Sequence, residues 1–514
     1  MKKLISVLLS FLMIFSFGIP AFAAKDERPT IYVTGAQTND LYNAEGERIY
    51  PISDDIDAME VIKNNLKPCM KKLILGLLTD NYEPYAKEFY NAFVPIYEDI
   101  ALDKNGEASN GSHPRNNIYD VEIPQKTEDY GIWDYRFWYD WRISPMVAAD
   151  QLKEYIEMVV DATGEEKVNL MGRCYGANVI AAYFTKYEDH AVKYVDDISF
   201  LSSSIIGIDM MSALFSGNMK FEDNVINNFV NFFMNKENII EDETVSVFVL
   251  TLVELFNEIK VLGITGELLE DLVDKVKDDL IPPILRDTFG SMPAYWSMTT
   301  PESYEEAIEF VFGDCKEEYK NLIAKTDDYH YNVQLKIEST IKRLEQKGVK
   351  FNIFVKYNFP DYPIYEGATC QGDGTTAAVR QAFGGVYADF GEVLSNKYIE
   401  TIENKNYLSP DKVIDASSCL LPNNTWFVKN IHHDIFPNEL NRLAMDVMNL
   451  DVSVSDNVFP RFADYVDGKI VPLEADNADN VVSTKHPLAT LMRFITAFFN
   501  LISKLLKNEI TLFA

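Results

Sequence analysis

The chain has 514 residues, of which 47% are hydrophobic and 13% aromatic, and this composition excludes a disordered or fibrous protein. It contains 47 Lys and Arg against 79 Asp and Glu, which gives a formal net charge of −32. Because such a field repels phosphate backbones, we do not expect nucleic acid as a partner. With only 6 His and 5 Cys, and no CxxC or HExxH spacing, the sequence predicts no metal site and no cofactor.

The first 23 residues have the pattern of a secretory signal peptide. A basic start (Lys2-Lys3) precedes an apolar run over residues 4–17, and Ala21-Phe22-Ala23 supplies the small residues of a cleavage site. The apolar run is shorter than the ~20 residues that span a bilayer as a helix. We therefore expect residues 1–23 to be removed and the mature protein to be secreted or to lie on the extracellular surface.

Strand and helix patterns alternate along the first part of the mature chain. Apolar and β-branched runs predict strands at residues 30–34, 137–141 and 168–171. Helical spacing follows over residues 148–160 and again over residues 177–187. This alternation predicts an α/β protein with a mostly parallel sheet that helices cover on both faces.

The sequence pattern changes near residue 208 and divides the mature chain into four parts. Residues 208–310 have helical periodicity and little strand signal, so we interpret them as an α-helical cap inserted into the α/β core. The core then comprises residues 24–207 as its first part and residues 311–450 as its second. Residues 451–514 form a C-terminal extension.

An amphipathic helix is predicted near the end of the extension, over residues 488–507. Its polar side carries three cations, Arg493, Lys504 and Lys507, opposite an apolar side. We favour a helix that docks on the body of the protein. The alternative is an interfacial helix that contacts a membrane peripherally.

The segment Gly172-Arg173-Cys174-Tyr175-Gly176 fits the nucleophile elbow Gly-x-Nuc-x-Gly between a predicted strand and a predicted helix. The turn is so tight that the residues two before and two after the nucleophile must lack bulk. The following helix N-terminus would stabilise a thiolate at Cys174. The N–H of Tyr175 and the loop near Ala36 and Gln37 would form an oxyanion hole. The plainer interpretation is a structural cysteine on a strand–helix turn.

A cysteine nucleophile needs a base and a group that orients the base. His432 and His433 lie late in the chain, in the nucleophile–acid–histidine order of α/β-hydrolases. Between the elbow and these histidines, Asp373 lies in a Gly-Asp-Gly-Thr loop whose glycines let a carboxylate turn inward. Asp361 is the alternative acid. A solvated histidine pair and an ordinary turn aspartate are the non-catalytic interpretations.

Four segments resemble, in the same order, the lecithin:cholesterol acyltransferase-like branch of the α/β-hydrolases. They are Tyr139-Asp140-Trp141-Arg142, residues 167–176 (KVNLMGRCYG), residues 372–375 (GDGT) and His432-His433-Asp434-Ile435. The resemblance implies the α/β-hydrolase fold, Asp373 as the acid and His432 rather than His433 as the base.

The chain departs from this family at two places. The family normally carries Ser at the position of Cys174, and Leu201-Ser202-Ser203-Ser204 stands where it usually has a Gly-Thr-Pro-His-like turn. The first departure bears on the reaction and the second on the shape of the pocket.

From these residues we predict a lipase, esterase or acyltransferase type of reaction on an ester or thioester. Cys174, His432 and Asp373 would act as a triad through a covalent acyl-enzyme. A helical cap over the pocket favours an apolar acyl chain, which includes lipid substrates. The alternative is a secreted binding protein, or a surface-attached one, on a hydrolase scaffold that has lost its activity.

The five cysteines leave at least one thiol unpaired within the chain. If Cys174 is the free thiol, the four others allow three pairings: Cys69, Cys315, Cys370 and Cys419. A bridge between Cys370 and Cys419 would tie the loop of the acid to the loop of the base.

Overall fold

The structure, a computed structural model, describes residues 28–51, 69–118 without 70, 71, 74 and 77, 135–233, and 265–474 without 451–453 and 455–458. The predicted signal peptide and the predicted amphipathic helix lie outside these residues, as does the middle of the predicted cap.

The centre of the described chain is a sheet of eight strands. In chain order, the strands are β1 (Thr30–Val33), β2 (Tyr135–Phe137), β3 (Val168–Arg173), β4 (Val195–Leu201), β5 (Lys350–Tyr357), β6 (Thr425–Lys429), β7 (Phe462–Val466) and β8 (Lys469–Pro472). Across the sheet the order is β8-β7-β6-β5-β4-β3-β1-β2. Neighbouring strands are parallel except for the antiparallel pair β7 and β8 at one edge.

Helices connect these strands and cover both faces of the sheet. In chain order, they are α1 (Glu83–Tyr97), α2 (Pro145–Thr163), α3 (Tyr175–Lys186), α4 (Glu188–Tyr194), α5 (Asp209–Ser216), α6 (Asp223–Phe233), α7 (Gly266–Arg286), α8 (Pro293–Trp296), α9 (Tyr304–Phe312), α10 (Lys320–Asn332), α11 (Ile337–Gln346), α12 (Ala378–Gln381), α13 (Asn396–Thr401) and α14 (Asn438–Leu450). Short strands pair in two small sheets, with Leu41–Tyr42, Arg48–Tyr50 and His113–Pro114 in one and Val386–Tyr387 and Ile414–Asp415 in the other.

Successive residues of the central strands enter two different apolar clusters. Ile31 and Val33 pack into the cluster that contains α2 and α3, whereas Tyr32 between them packs into the cluster that contains α14. Leu170 and Met171 of β3 divide in the same way. Because both faces are buried, the strands are largely apolar and do not alternate between apolar and polar residues. The predicted α/β-hydrolase fold, a mostly parallel sheet flanked by helices, is confirmed.

Three predictions differ from the structure in their boundaries. The strand predicted over residues 137–141 is Tyr135–Phe137, so Tyr139 and Trp141 follow β2 and do not lie in it. Helices α10 and α11 follow position 310 and the next strand begins at Lys350, so the helical part between β4 and β5 extends beyond the predicted cap. The predicted C-terminal extension also contributes β7 and β8 to the main sheet. These strands are short and end the sheet at an edge, which is why their sequence pattern is weak. Among the described helices, none is both long and apolar enough to cross a membrane.

Candidate active site

Three loops meet at the carboxyl edge of the sheet, after β3, β5 and β6. They carry Cys174, Asp373 and the pair His432-His433. Because parallel strands end at the same edge, these loops come together although they are far apart in the sequence.

Cys174 lies on a one-residue turn between β3 and α3. Its backbone has φ 48° and ψ −122°, a conformation that residues other than glycine rarely adopt. Two backbone hydrogen bonds hold the turn: the N–H of Cys174 donates to the carbonyl of Leu201 at 3.0 Å, and the N–H of Ala177 donates to the carbonyl of Cys174 at 3.0 Å. The sulfur therefore stands at the edge of the sheet on a rigid support.

Both glycines of the elbow lie against other backbone. A Cβ at Gly172 would lie 2.9 Å from the Cα of Ala177, and a Cβ at Gly176 would lie 2.2 Å from the carbonyl oxygen of Val33. Either methyl group would push α3 away from the strands. The turn has the geometry that the sequence motif predicts.

His433 connects Cys174 to Asp373. Its Nε2 lies 3.1 Å from the Sγ of Cys174, and its Nδ1 lies 2.8 Å from an Oδ2 of Asp373. The backbone N–H of His433 also donates to the carbonyl of Asp373 at 2.7 Å. The three side chains thus form a continuous hydrogen-bonded chain with His433 in the middle.

The resemblance implied His432 at this position, and that prediction is wrong. His432 turns away from Cys174 and packs on Phe359, with the two ring centroids 5.2 Å apart. A Cβ at Gly374 would lie 2.6 Å from the Nε2 of His432, so the ring fills the space beside this glycine. In the turn over residues 432–435, His433 is the histidine that contacts the cysteine.

The acid loop holds Asp373 by its own backbone. One carboxylate oxygen accepts hydrogen bonds from the N–H groups of Thr375 and Thr376, at 3.1 and 2.8 Å, which leaves the other oxygen for His433. The alternative acid, Asp361, is buried elsewhere and accepts hydrogen bonds from the N–H of Tyr362 and the hydroxyl of Tyr365. Of these two candidate acids, Asp373 is therefore the one that contacts His433.

The electrostatics favour an ion pair between Cys174 and His433. Burial by itself would raise the pKa of the thiol, but His433, Arg173 and the N–H of Tyr175 outweigh it and lower that pKa. Burial opposes protonation of His433, yet Asp373 and Cys174 outweigh it and raise the pKa of the imidazole to about 10. Both shifts favour a proton on His433 and a thiolate at Cys174.

The predicted oxyanion loop lies beside the elbow. A Cβ at Gly35 would be 3.4 Å from the Cβ of Cys174, which sets the loop after β1 next to the nucleophile position. Gln37 has a φ of 62°, and its side-chain amide donates to the hydroxyl of Tyr295 at 2.8 Å. Ala36 lies between them and packs against the main apolar cluster. Tyr295 belongs to α8, so the helical part between β4 and β5 contacts this loop.

The Tyr139-Asp140-Trp141-Arg142 segment supports the same loop from behind. The hydroxyl of Tyr139 donates to the carbonyl of Thr34 at 2.6 Å, and the indole N–H of Trp141 donates to the carbonyl of Asn39 at 3.0 Å. Tyr139 and Trp141, which belong to one of the segments that resemble the family, therefore bind both ends of the loop beside the nucleophile.

Cys370 and Cys419, the two cysteines for which a bridge was considered from the sequence, form no disulfide with each other. The Sγ of Cys370 lies 3.4 Å from the hydroxyl of Tyr365, while Cys419 donates to the carbonyl of Gly384 at 3.6 Å. The acid loop and the base loop are thus joined by hydrogen bonds and not by a Cys370–Cys419 disulfide.

Three residues of the site were missed from the sequence: Arg173, Tyr295 and Lys356. Arg173 lies inside the elbow motif, where the position between glycine and nucleophile accepts any side chain. Lys356 had a signal, because it is a lysine that directly follows the apolar run Ile353-Phe354-Val355 within a strand. Within the described residues, no group of three or more His, Cys, Asp or Glu side chains could hold a metal ion.

The fold and the elbow at the carboxyl edge of β3 define an α/β-hydrolase-type protein. A family model described as Lecithin:cholesterol acyltransferase matches residues 126–237, which contain the elbow but neither Asp373 nor His433. This segment is therefore similar to that family, and the match supports a hydrolase of the lipase and acyltransferase type.

Two further comparisons add little. No curated protein matches the chain. Among solved structures, one described as the crystal structure of the Tle4-Tli4 complex matches with 10% identity, covering 65% of this chain and 75% of that one, at a TM-score of 0.24. A TM-score of this size is too low to support an argument about activity.

The close approach at the elbow leads to a stability prediction. Gly176→Ala should lower the free energy of unfolding by about 3 kcal/mol or more, because its methyl group overlaps the backbone of β1. Gly35→Ala is the matched control, since its Cβ would have no neighbour closer than 3.4 Å and should leave stability nearly unchanged. Urea unfolding of both variants measures the difference. Equal stability of the two would contradict the packing described for α3.

Proposed function

We propose that the protein hydrolyses or transfers acyl groups from esters or thioesters, with Cys174 as nucleophile, His433 as general acid and base, and Asp373 as the residue that orients His433. The observation that carries the proposal is the hydrogen-bonded chain from Sγ to the carboxylate, with distances of 3.1 and 2.8 Å. The strained turn beneath the sulfur and the buried carboxylate are features of sites built for nucleophilic catalysis.

In the first half of the reaction, the thiolate of Cys174 attacks the carbonyl carbon of the substrate. A C–S bond forms, and the C=O π electrons move to the oxygen. The N–H groups of Tyr175 and of the Ala36-Gln37 loop would stabilise this oxyanion. When the tetrahedral intermediate collapses, the C–O or C–S bond to the leaving group breaks. The departing group takes the proton from Nε2 of His433, and a thioester acyl-enzyme remains.

In the second half, water or an alcohol attacks the thioester while His433 accepts its proton. This step needs a neutral imidazole, and acylation itself provides it. Cys174 is one of the groups that raise the pKa of His433, and its negative charge is lost once the sulfur carries the acyl group. The imidazole pKa therefore falls as the acyl-enzyme forms. Collapse of the second intermediate expels the thiolate and restores the ion pair.

An apolar acyl chain is the substrate feature that the surroundings favour. Phe232 of α6 packs on Phe359, with ring centroids 5.3 Å apart, and Phe359 in turn packs on His432. Aromatic side chains thus connect the helical part between β4 and β5 to the loop of the base. We expect this apolar cluster, which adjoins the loop of the base, to favour an apolar chain over a charged one. The proposed substrates include lipid esters. We also propose that the mature chain is exported, and that residues 488–507 contact a membrane peripherally.

Hydrolysis of p-nitrophenyl esters of increasing chain length tests the proposed activity. We expect the purified protein to release p-nitrophenol, with a preference for longer chains, and Cys174→Ala to lose this activity by at least about 10³-fold. If neither form hydrolyses any ester of the series and the thiol test below is also negative, a binding role on a hydrolase scaffold becomes the better interpretation.

The two neighbouring histidines provide a matched pair of variants. His433→Asn should reduce kcat by about 10³-fold or more, because it removes the group that exchanges protons with Cys174. His432→Asn should reduce stability through lost packing on Phe359 but retain most of the kcat. Steady-state kinetics and thermal unfolding of both variants measure these effects. A larger kcat loss in His432→Asn would reverse the assignment.

The ion pair predicts how the thiol responds to pH. Since the pKa of Cys174 is lowered and that of His433 is raised to about 10, the pair exists from below the ordinary thiol range up to about pH 10. Iodoacetamide should therefore alkylate Cys174 rapidly at neutral pH. Burial raises the pKa of Cys370 and of Cys419 to about 12, so both should stay unmodified.

Peptide mass spectrometry of the alkylated protein locates the modified cysteine at each pH. In His433→Asn, alkylation of Cys174 should require a higher pH, because the imidazolium no longer stabilises the thiolate. Alkylation of Cys174 in the unsubstituted protein only near pH 9 would show that no ion pair forms.

A further inference from the structure

Lys356 is a buried lysine directly beneath the loop that carries His433. It lies in β5 and its side chain is fully buried. Its Nζ donates to three backbone carbonyls of the loop, those of His432, His433 and Ile435, at 2.8, 2.7 and 3.1 Å. An ammonium has three N–H donors and no acceptor, so these three carbonyls match its full donor set.

Arg173 completes this arrangement from the neighbouring elbow. Its guanidinium donates to the carbonyl of Asp434 at 3.3 Å, which is the loop carbonyl that Lys356 does not bind. Both cations also lie over the ring of Phe436, with Nζ of Lys356 3.7 Å and Cζ of Arg173 3.9 Å from its centroid. Four consecutive carbonyls of the loop, 432 to 435, are therefore bound by two cations from two different strands.

Stability alone does not account for a lysine at this position. Burial of an ammonium is unfavourable, and it lowers the pKa of Lys356 to about 7. The charged groups that face Nζ are Asp373, Asp434, Arg173 and Cys174, all of which belong to the site or adjoin it. A lysine here is useful if the loop has to be held in one arrangement.

We propose that Lys356 is a positioning residue, which binds the carbonyls of the His433 loop so that Nε2 of His433 stays within hydrogen-bond distance of the Cys174 sulfur. This inference rests on the proposed Cys174–His433 chemistry. The chain turns at His433 and Asp434, where the N–H of Ile435 donates to the carbonyl of His432 at 3.1 Å, and a rotation of this turn would move Nε2 of His433 away from the sulfur. Lys356 blocks that rotation because it binds carbonyls on both sides of His433.

The test is Lys356→Met, which keeps the length of the side chain and removes all three donors. We expect kcat for the p-nitrophenyl ester to fall about 100-fold, as for a misplaced catalytic group, with KM nearly unchanged. The pH at which iodoacetamide alkylates Cys174 should rise, because the imidazolium is no longer fixed beside the sulfur. The midpoint of thermal unfolding should fall, because three carbonyls of the loop lose their donor, so kcat and the alkylation profile are measured well below that midpoint.

Lys429→Met is the matched control. Lys429 is also buried and lies in the neighbouring strand β6, opposite Tyr357, but its Nζ pairs with Asp411 at 3.1 Å. Removal of Lys429 leaves Asp411 without its cation, so this variant should unfold at a lower temperature. Its alkylation profile at Cys174 should match that of the unsubstituted protein.

The outcomes separate this inference from the proposed function. If Cys174 in the unsubstituted protein is alkylated like an ordinary thiol, the proposed function fails. If that thiol is reactive but Lys356→Met leaves both kcat and the alkylation profile unchanged, only the role of Lys356 is overturned. Should Lys356→Met not fold, Lys356→Gln, which keeps two N–H donors without the charge, replaces it. An unchanged kcat and alkylation profile in Lys356→Gln would likewise overturn the role.

Discussion

The N-terminus of α3 lies against the end of β1 with no space for a side chain between them. Gly176 is the residue at this contact, and a Cβ there would lie 2.2 Å from the carbonyl oxygen of Val33. The chain must therefore pass from β3 into α3 within one residue, and Cys174 adopts a left-handed backbone conformation to do so. The sulfur is raised above the edge of the sheet as a result. The loops after β5 and β6 reach it only there, so the geometry of the candidate site depends on this backbone contact.

The site also buries several charges, and each depends on the others. Cys174 and Asp373 lie on either side of His433, and His433 and Lys356 together lower the pKa of Asp373 although its burial would raise that pKa. Isolated, each of these groups would lose its charge on burial. A cysteine suits this environment better than a serine, because a thiol pKa is close enough to that of imidazole for the proton to transfer before substrate binds. A hydroxyl would give up its proton only during the reaction.

Much of the fold followed from local patterns. The strand before Cys174 and the helix after it were predicted because the apolar run and the helical spacing are strong and both lie in the buried centre of the sheet. The helical part between β4 and β5 was predicted too short, since α10 and α11 are rich in charged residues and resemble a surface segment. Strands β7 and β8 were missed because they are short and several of their residues are exposed, which leaves a weak pattern.

The sequence by itself determined the elbow, because the two glycines and the nucleophile between them lie within five residues, and it indicated Asp373 through its own flanking glycines. Only the tertiary structure decided which histidine meets the cysteine. His432 and His433 are adjacent and chemically identical, so no local pattern distinguishes them. The choice depends on the space beside Gly374, which the ring of His432 fills, and on the carbonyls that Lys356 binds. These residues lie about 60 to 80 positions away along the chain, and their contacts exist only once the parallel strands have aligned.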